Sequence, residues 1–243
     1  MIEIRHKHID SVADEINAYN QIYEGKGIRH LDSFYMWILS LLPAQPGQRL
    51  LDVSSGEGSL GYFARRRGLR AYGVDFSFAA LKTGVQDYDF RLVCVSNAEC
   101  LPLPDRSFDF VTNIGSVEHY FDPAIAIREM SRVLKPGGVA CILLPNAFSL
   151  FGNVKYVWQV GDVFDDGQPL QRYNTRLGWQ HLLAENGLHS FKILKYEREW
   201  PRTFKDGWWY LRRPLKTLKL FVSFLIPVNL ANSIVYLCRS EAR

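Results

Sequence analysis

The hydrophobic pattern of the chain changes at residue 49. From there, short apolar runs alternate with segments whose apolar residues recur every three or four positions, which predicts strands alternating with helices. The predicted strands are 49–54, 70–75, 90–96, 108–114, 138–144, 190–197 and 233–239, and the predicted helices are 59–67, 77–86, 123–134 and 175–185. This alternation is typical of an α/β fold with a doubly wound, mostly parallel, seven-stranded sheet that binds ligands at the carboxyl ends of its strands.

Two further helices are predicted before the first strand, at 10–23 and 30–42. Because they precede the sheet, they can only cap it or cover its ligand crevice, and Tyr19 and Tyr23 are candidates for a lid. After the fifth strand, residues 147–175 lack a clear period. They predict a long irregular segment of the kind that often carries function.

A glycine turn follows the first buried strand, Leu50–Val53. Gly56, Gly58 and Gly61 have the spacing G-x-G-x-x-G, and a helical pattern starts at once with Ser59 as its predicted N-cap. Glycine lets the backbone approach a ligand, and a helix N-terminus presents free N–H groups. The order of strand, glycine turn and helix therefore predicts a nucleotide-binding crevice.

The next predicted strand ends in Asp75, about twenty residues beyond the glycine turn. An acid at this place in a doubly wound sheet suits the two hydroxyls of a ribose. The alternative is a turn or N-cap residue ahead of the helix that starts at Ser77.

Composition narrows the class of protein. Of 243 residues, 47% are hydrophobic, enough for the core of one domain, and the net charge of +4 is too small to indicate nucleic-acid binding. Four cysteines, Cys94, Cys100, Cys141 and Cys238, show no C-x-x-C pairing. This argues against a zinc site or a disulfide framework and favours a reducing cytoplasm. The segment Met1–His6 lacks the pattern of a signal peptide, so export is not expected.

A series of motifs runs along the predicted sheet: Leu51-Asp52-Val53 with Gly56 and Gly58, then Gly73–Ser77, Asn97–Asp105, Ser107–Asp109, Val117–His119, Asp122-Pro123 and Arg132–Gly138, ending at Pro145-Asn146. As a set they resemble class I S-adenosylmethionine-dependent methyltransferases, and they are similar to the branch that methylates quinone precursors and sterols. The resemblance covers residues 48–146. It implies one Rossmann-like domain over 1–243, with a helical cap (1–47), a cofactor-binding core (48–146) and an acceptor-side elaboration (147–243) containing a helical insertion before the last strand.

The resemblance implies S-adenosylmethionine as cofactor and a role for each crevice residue. The turn from Ser54 through Gly56 to Gly58 would pack under the methionine and ribose part. Asp52 would order this turn and the amino group of the cofactor, and Asp75 would accept both ribose hydroxyls.

The same resemblance assigns the adenine and methyl ends of the crevice. Phe76 would lie against the adenine face, and Asn97 and Ala98 would read its edge, with the Asn97 side-chain oxygen taking the exocyclic amine. Ile114 and Gly115 would line the wall near the methyl group.

Two positions depart from the family pattern. The family usually has glycine at Ser54 and aspartate at Asn97. A Cβ at residue 54 restricts the turn, and Asn97 retains an acceptor oxygen but loses a charge. These changes make a cofactor-binding protein without methyl transfer one alternative function.

Glu118 and His119 follow the fourth of these core strands and are the predicted catalytic pair. His119 has the intrinsic pKa of a general base, although it could instead tie its loop to the backbone. In ubiquinone-pathway O-methyltransferases a similar Glu-His pair joins an earlier glutamate to hold a divalent metal. Here that earlier place is Gly115, so no metal is predicted.

The predicted function is therefore methyl transfer from S-adenosylmethionine to an oxygen of a small or lipid-linked acceptor. An NAD-dependent oxidoreductase is a second alternative, because the glycine spacing alone would allow it. Against it, a dinucleotide-binding strand normally runs directly into its first glycine, whereas Asp52 lies four residues before Gly56.

The C-terminal third raises the question of membrane contact. Leu220–Cys238 contains no charged residue, and a helix predicted over 211–221 interleaves apolar positions with Arg212, Arg213, Lys216 and Lys219. This pattern suits an interfacial helix on an anionic membrane, at the inner face of the cell membrane for a cytoplasmic protein. A helical insertion buried against the domain is the alternative.

Overall fold

A computed structural model describes residues 1–6, 9–25 and 27–240. Its strands are β1 (Ile2–Arg5), β2 (Arg49–Val53), β3 (Arg70–Asp75), β4 (Val93–Val95), β5 (Phe108–Ile114), β6 (Leu134–Pro145), β7 (Leu170–Tyr173), β8 (Leu188–Tyr196) and β9 (Ser233–Ser240). Its α-helices are α1 (Val12–Gly25), α2 (Asp32–Ser40), α3 (Ser59–Arg66), α4 (Phe78–Tyr88), α5 (Pro123–Val133), α6 (Lys155–Val160), α7 (Arg176–Glu185), α8 (Phe204–Leu211) and α9 (Pro214–Val222).

Seven of these strands form one sheet in the order β4-β3-β2-β5-β6-β9-β8. Strands β4 to β6 pair in parallel, and β9 runs antiparallel to both of its neighbours. This confirms the predicted doubly wound, mostly parallel sheet. The chain leaves β2 toward one edge of the sheet and returns to its other side with β5, so a crevice opens between these two strands at their carboxyl ends.

A second, two-stranded sheet was not predicted from the sequence. Strand β1 pairs antiparallel with β7, which lies inside the segment predicted to be irregular. Neither strand is long or strongly alternating, so each depends on the other for its backbone hydrogen bonds. The pairing joins the N-terminus of the chain to residues 170–173 beside the carboxyl edge of the main sheet.

Several element boundaries differ from those predicted, and two of them concern the glycine turn and the C-terminal helices. Gly58, with φ +75°, is the N-cap of α3, and Ser59 is its first helical residue rather than the cap. The helix predicted over 211–221 is broken between α8 and α9, where Arg213 has φ −135°. Pro214 is the cause, because proline has no N–H to donate and disfavours the helical conformation of the residue before it.

A buried polar contact fixes α8 against α2. Asp206, 1% exposed, accepts hydrogen bonds from the Ser33 backbone N–H (2.8 Å) and from the Ser33 hydroxyl (2.5 Å). The same hydroxyl accepts from the Arg202 N–H (2.6 Å). Among the described residues, no helix is both long enough and apolar enough to cross a bilayer.

Removing this carboxylate should destabilise the fold. Asp206→Ala leaves two buried donors on Ser33 without an acceptor, which we expect to cost about 2–3 kcal/mol of the free energy of unfolding. The melting temperature should fall by roughly 5–10 °C in a thermal scan. Asp87→Ala, an exposed aspartate on α4, is the control and should melt within about 1 °C of the wild type. Equal melting of both variants would refute this account of the contact.

Candidate active site

A cavity lies at the carboxyl edge of the main sheet, where the strand order predicts it. The space within it and its open mouth amounts to about 810 Å³. Its floor comes from the ends of β2, β3 and β5, and α1 covers it from above. One side of the mouth is formed by Gln168, just ahead of β7.

Many of the predicted site residues line this cavity: Asp52, Ser54, Gly56, Asp75, Phe76, Ile114, Gly115 and His119. Gly58, Asn97, Ala98 and Glu118 are not part of its lining. Ala98 is buried in the core beside Leu101, and the Asn97 side-chain oxygen accepts a hydrogen bond from the Glu99 backbone N–H at 2.9 Å. Asn97 is thus engaged within its own loop.

Ser54 begins the glycine turn in a left-handed conformation, with φ +58°, although it carries a Cβ. Its hydroxyl shares a hydrogen bond with the hydroxyl of Tyr120 (2.7 Å), which also accepts from the Asn113 side-chain amide (2.5 Å). Asn113 donates in addition to the Val53 carbonyl (3.1 Å). This network explains how a serine occupies a position that favours glycine.

The glycines of the turn have different tasks. Gly56 has φ +53°, and a Cβ there would lie 2.8 Å from the Tyr23 hydroxyl oxygen, so the position has room for backbone only. A Cβ at Gly58 or Gly61 would instead lie 2.4 Å from the ring of Phe90. Gly56 therefore shapes the cavity, whereas Gly58 and Gly61 allow α3 to pack closely on Phe90.

Two buried aspartates face the cavity. Asp75 accepts from the backbone N–H groups of Gly56 (2.8 Å) and Ser77 (2.8 Å), and burial raises its pKa to about 6. Asp52 accepts from the Thr112 hydroxyl (2.7 Å), and burial raises its pKa to about 7. Ser77, not Asp75, caps α4 by accepting from the Ala80 N–H.

One face of α1 closes the cavity. Glu15, Tyr19 and Tyr23, spaced four residues apart, all line it. Tyr19 donates a hydrogen bond to the Gln168 side-chain oxygen (2.9 Å), and its ring lies 5.4 Å from that of Phe76. The sequence analysis singled out the two tyrosines but missed Glu15, which the same four-residue spacing could have indicated.

His119 is buried and is held by one ring nitrogen. Its Nδ1 lies 2.5 Å from the Leu170 carbonyl oxygen, and because a carbonyl can only accept, Nδ1 carries the proton. Burial lowers the pKa of His119, so the ring is neutral near pH 7 and Nε2 has a free lone pair. The ring lines the cavity. The tie to the backbone considered from the sequence is therefore present, and the same neutral ring borders the cavity.

Glu118 lies behind His119 rather than in the cavity. Its Oε1 is 3.8 Å from His119 Nε2, and its Oε2 is buried without a hydrogen-bond partner among the described residues. Burial raises the pKa of Glu118 to about 8, so it is largely protonated at neutral pH. In the part of the chain that the structure describes, no three His, Cys, Asp or Glu side chains are grouped to hold a metal ion.

The cavity fits a nucleoside with an amino-acid tail. Gly56 leaves a cradle that a Cβ would fill, and the Ser55 hydroxyl beside it is buried with no partner among residues 1–6, 9–25 and 27–240. Asp75 has acceptor capacity for a diol beyond its two backbone bonds, and Phe76 supplies an aromatic ring beside it. These are the groups that S-adenosylmethionine requires.

Comparison with known proteins agrees with this chemistry. Residues 51–142 match a family model described as a methyltransferase domain. The chain thus carries a methyltransferase domain, as the motifs predicted, and this domain implies S-adenosylmethionine as the cofactor. The oxidoreductase and non-catalytic alternatives find no support in the comparisons.

Curated relatives include three quinone-pathway enzymes. A demethylmenaquinone methyltransferase of Renibacterium salmoninarum is 38% identical over 42% of this chain and 43% of its own. A ubiquinone biosynthesis O-methyltransferase of Paracidovorax citrulli is 38% identical over 42% of this chain and 45% of its own. A ubiquinone/menaquinone biosynthesis C-methyltransferase of Cupriavidus necator is 30% identical over 55% of this chain and 56% of its own. The alignments span between 43% and 65% of the length of the curated relatives that the chain matches.

The whole fold also has a solved counterpart. A chain in the complex of the Haloferax volcanii Trm112 methyltransferase activator with a methyltransferase aligns over 96% of this chain and 99% of its own, with a TM-score of 0.65 and 20% identity. At this identity the likeness concerns the fold alone.

Proposed function

We propose that this protein transfers the methyl group of S-adenosylmethionine to a hydroxyl oxygen of a small, ring-bearing acceptor. His119 carries this proposal, because its Nδ1–H is fixed on the Leu170 carbonyl while Nε2 can accept a proton in the cavity. A hydroxyl becomes a good nucleophile when a positioned base removes its proton during attack, and a neutral, buried imidazole suits this task. The names of the relatives, which include a demethylmenaquinone methyltransferase and a ubiquinone biosynthesis O-methyltransferase, support a phenolic acceptor, free or attached to a lipid chain.

The chain's own residues would hold the cofactor along the floor of the cavity. The turn Ser54–Gly56, together with Asp52, would hold the amino-acid part, and Asp75 would accept from the ribose hydroxyls. The bound cofactor supplies an activated methyl group on a sulfonium. His119 and the wall formed by Ile114 and Gly115 would position the acceptor and exclude water, because alignment of donor and acceptor contributes most of the rate in such a transfer.

Methyl-labelled cofactor tests the reaction and its target atom. The protein is incubated with ¹³C-methyl S-adenosylmethionine and a panel of catechols and hydroquinones with and without a prenyl tail. We expect ¹³C in a methoxy carbon, which NMR distinguishes from a ring methyl. Label in a ring methyl would replace O-transfer by C-transfer. Tight binding of S-adenosylhomocysteine with no transfer to any acceptor would favour the non-catalytic alternative.

We further propose that residues 1–243 act as one domain with the cap, core and elaboration inferred from the sequence. The β1–β7 pairing supports a single domain, because it joins residues 1–47 to residues 147–243. The hydrogen bond between Tyr19 and Gln168 makes a second link of the same kind.

We also propose that helices α8 and α9 bring the protein to anionic membranes. Their apolar side chains are exposed, among them Phe204 (90%), Leu211 (73%) and Leu215 (76%). The basic residues between them, Arg212, Arg213, Lys216 and Lys219, are exposed as well. Each basic residue near an anionic surface contributes about 1 kcal/mol, and burial of the apolar side chains adds to this. These helices lie between β8 and β9, on the sheet edge that also bears the cavity.

Vesicle sedimentation tests the membrane proposal. We expect the wild type to sediment with phosphatidylglycerol vesicles, to stay in solution with phosphatidylcholine alone, and to be released by raised salt. Changing the four basic residues to glutamate should abolish sedimentation. The control changes Arg66, Arg67, Arg70 and Lys82, four exposed basic residues elsewhere, to glutamate and should sediment. A wild type that ignores anionic vesicles at low salt would contradict the proposal and favour a water-soluble acceptor.

A further inference from the structure

The carboxyl group of Glu15 is the unexplained polar group of the cavity. Glu15 is 4% exposed and lines the cavity from α1, and its carboxyl group makes no hydrogen bond or ion pair with any described residue. Burial and, next to it, the negative charge of Glu99 raise the pKa of this carboxyl to about 7, against the lowering effect of Arg172 and Arg5. A buried carboxyl without a partner is costly, which points to a donor that arrives with the ligand.

The direction of α1 shows which part of a ligand Glu15 would meet. Tyr23 lies over the glycine turn at Gly56, and Tyr19, one turn of helix earlier, packs on Phe76 and lies 6.2 Å from the ring of His119. Glu15 is one further turn along the same face. The helix therefore crosses the cavity from the glycine turn, past the phenylalanine that follows Asp75, toward the loop after β4.

The part of a bound nucleoside that would lie at the Glu15 end of the cavity is the polar edge of its base. The ribose joins the base to the sulfonium-bearing tail, so with the tail at the glycine turn and the ribose on Asp75, the base lies beyond Asp75 on the Phe76 side. The loop after β4 contains Asn97, whose side-chain oxygen accepts from the Glu99 N–H within its own loop and which does not line the cavity. Asn97 is therefore not placed to accept from the exocyclic amine of an adenine in this cavity, and the amine needs another acceptor.

We propose that Glu15 accepts a hydrogen bond from the exocyclic amine of the cofactor's adenine, in place of the side chain at position 97. This inference rests on the proposed function, because it takes S-adenosylmethionine as the ligand. It places adenine recognition on the covering helix instead of the sheet edge. Adenine binding and closure of α1 over the cavity are then the same event.

The test compares S-adenosylhomocysteine with S-inosylhomocysteine, in which a carbonyl oxygen replaces the adenine amine, by calorimetry. At pH 8.5, where a carboxyl with a pKa of about 7 is ionised, the wild type should bind the adenine compound at least about tenfold more tightly, because the inosine oxygen would face the Glu15 carboxylate without a proton between them. Glu15→Gln presents an amide that can donate as well as accept, and should reduce the preference to about threefold or less. Glu24→Gln, an exposed glutamate on the same helix, should retain the full preference.

Each other result has a definite meaning. If the wild type shows no preference, or if Glu15→Gln keeps the full preference with an unchanged melting temperature, Glu15 does not face the amine and the inference is wrong. If the wild type binds neither compound, the proposed function itself fails, and this inference fails with it. Glu15→Ala provides a second check, since it should weaken binding of the adenine compound about tenfold and should not weaken binding of the inosine compound, whose carbonyl oxygen would no longer face a carboxylate.

Discussion

Replacing His119 by asparagine should lower the rate of methyl transfer about 10²–10⁴-fold, with the affinity for S-adenosylhomocysteine unchanged within about twofold. Asparagine separates the two properties of this side chain. Its amide nitrogen can still donate to the Leu170 carbonyl, as Nδ1 does at 2.5 Å, but it offers no basic nitrogen at the position of Nε2. Single-turnover kinetics with a saturating acceptor measures the chemical step directly.

The pH profile gives an independent measure of the same role. Because burial lowers the pKa of His119 from its ordinary value of 6.5, the imidazole is neutral at and above that pH. Turnover should therefore fall on the acid side of pH 6.5, as the base becomes protonated. His119→Ala is the second variant and should also lose thermal stability, because it removes the bond to Leu170. If His119→Asn turns over within fivefold of the wild type, His119 is not the general base and its role is structural only.

Replacing Asp75 by alanine should weaken S-adenosylhomocysteine binding at least about tenfold. The expected loss is that of charge-assisted hydrogen bonds from two ribose hydroxyls, about 1.5–3 kcal/mol together or more. The variant also leaves the Gly56 and Ser77 N–H groups without an acceptor, which can destabilise the fold. A thermal scan and circular dichroism must therefore show that the variant is folded before its affinity is compared by calorimetry. Asp89→Ala, an exposed aspartate after α4, is the control. NADH should show no saturable binding to the wild type.

The pH dependence of this affinity follows from the burial of Asp75. Its pKa is raised to about 6 in the free protein, and hydroxyl donors favour the ionised form, so binding releases a proton at low pH. The dissociation constant should therefore rise as the pH falls through about 6. Asp75→Asn cannot ionise and should lose this part of the pH dependence. An unchanged affinity in both Asp75 variants would remove this residue from the site.

Local signals in the sequence determined the framework of the protein. The alternation of apolar runs and helical periods predicted the seven-stranded sheet, and the glycine turn after Leu50–Val53 predicted where its ligand crevice opens. These features depend on residues that are neighbours in the chain, since a strand, a turn and a helix start each leave a period or a glycine spacing. The family match over residues 51–142 covers this same part.

The tertiary structure alone decided how the site is completed. Ser54 is held by Tyr120, 66 residues away, His119 by the Leu170 carbonyl, 51 residues away, and Ser33 by Asp206, 173 residues away. Partners at such separations leave no period in the sequence, because a hydrogen bond depends on where two atoms meet in space and not on their spacing along the chain. The orientation of α1 is of the same kind: its pattern predicted a helix, but only its packing across the cavity brings Glu15 into the lining beside Tyr19 and Tyr23.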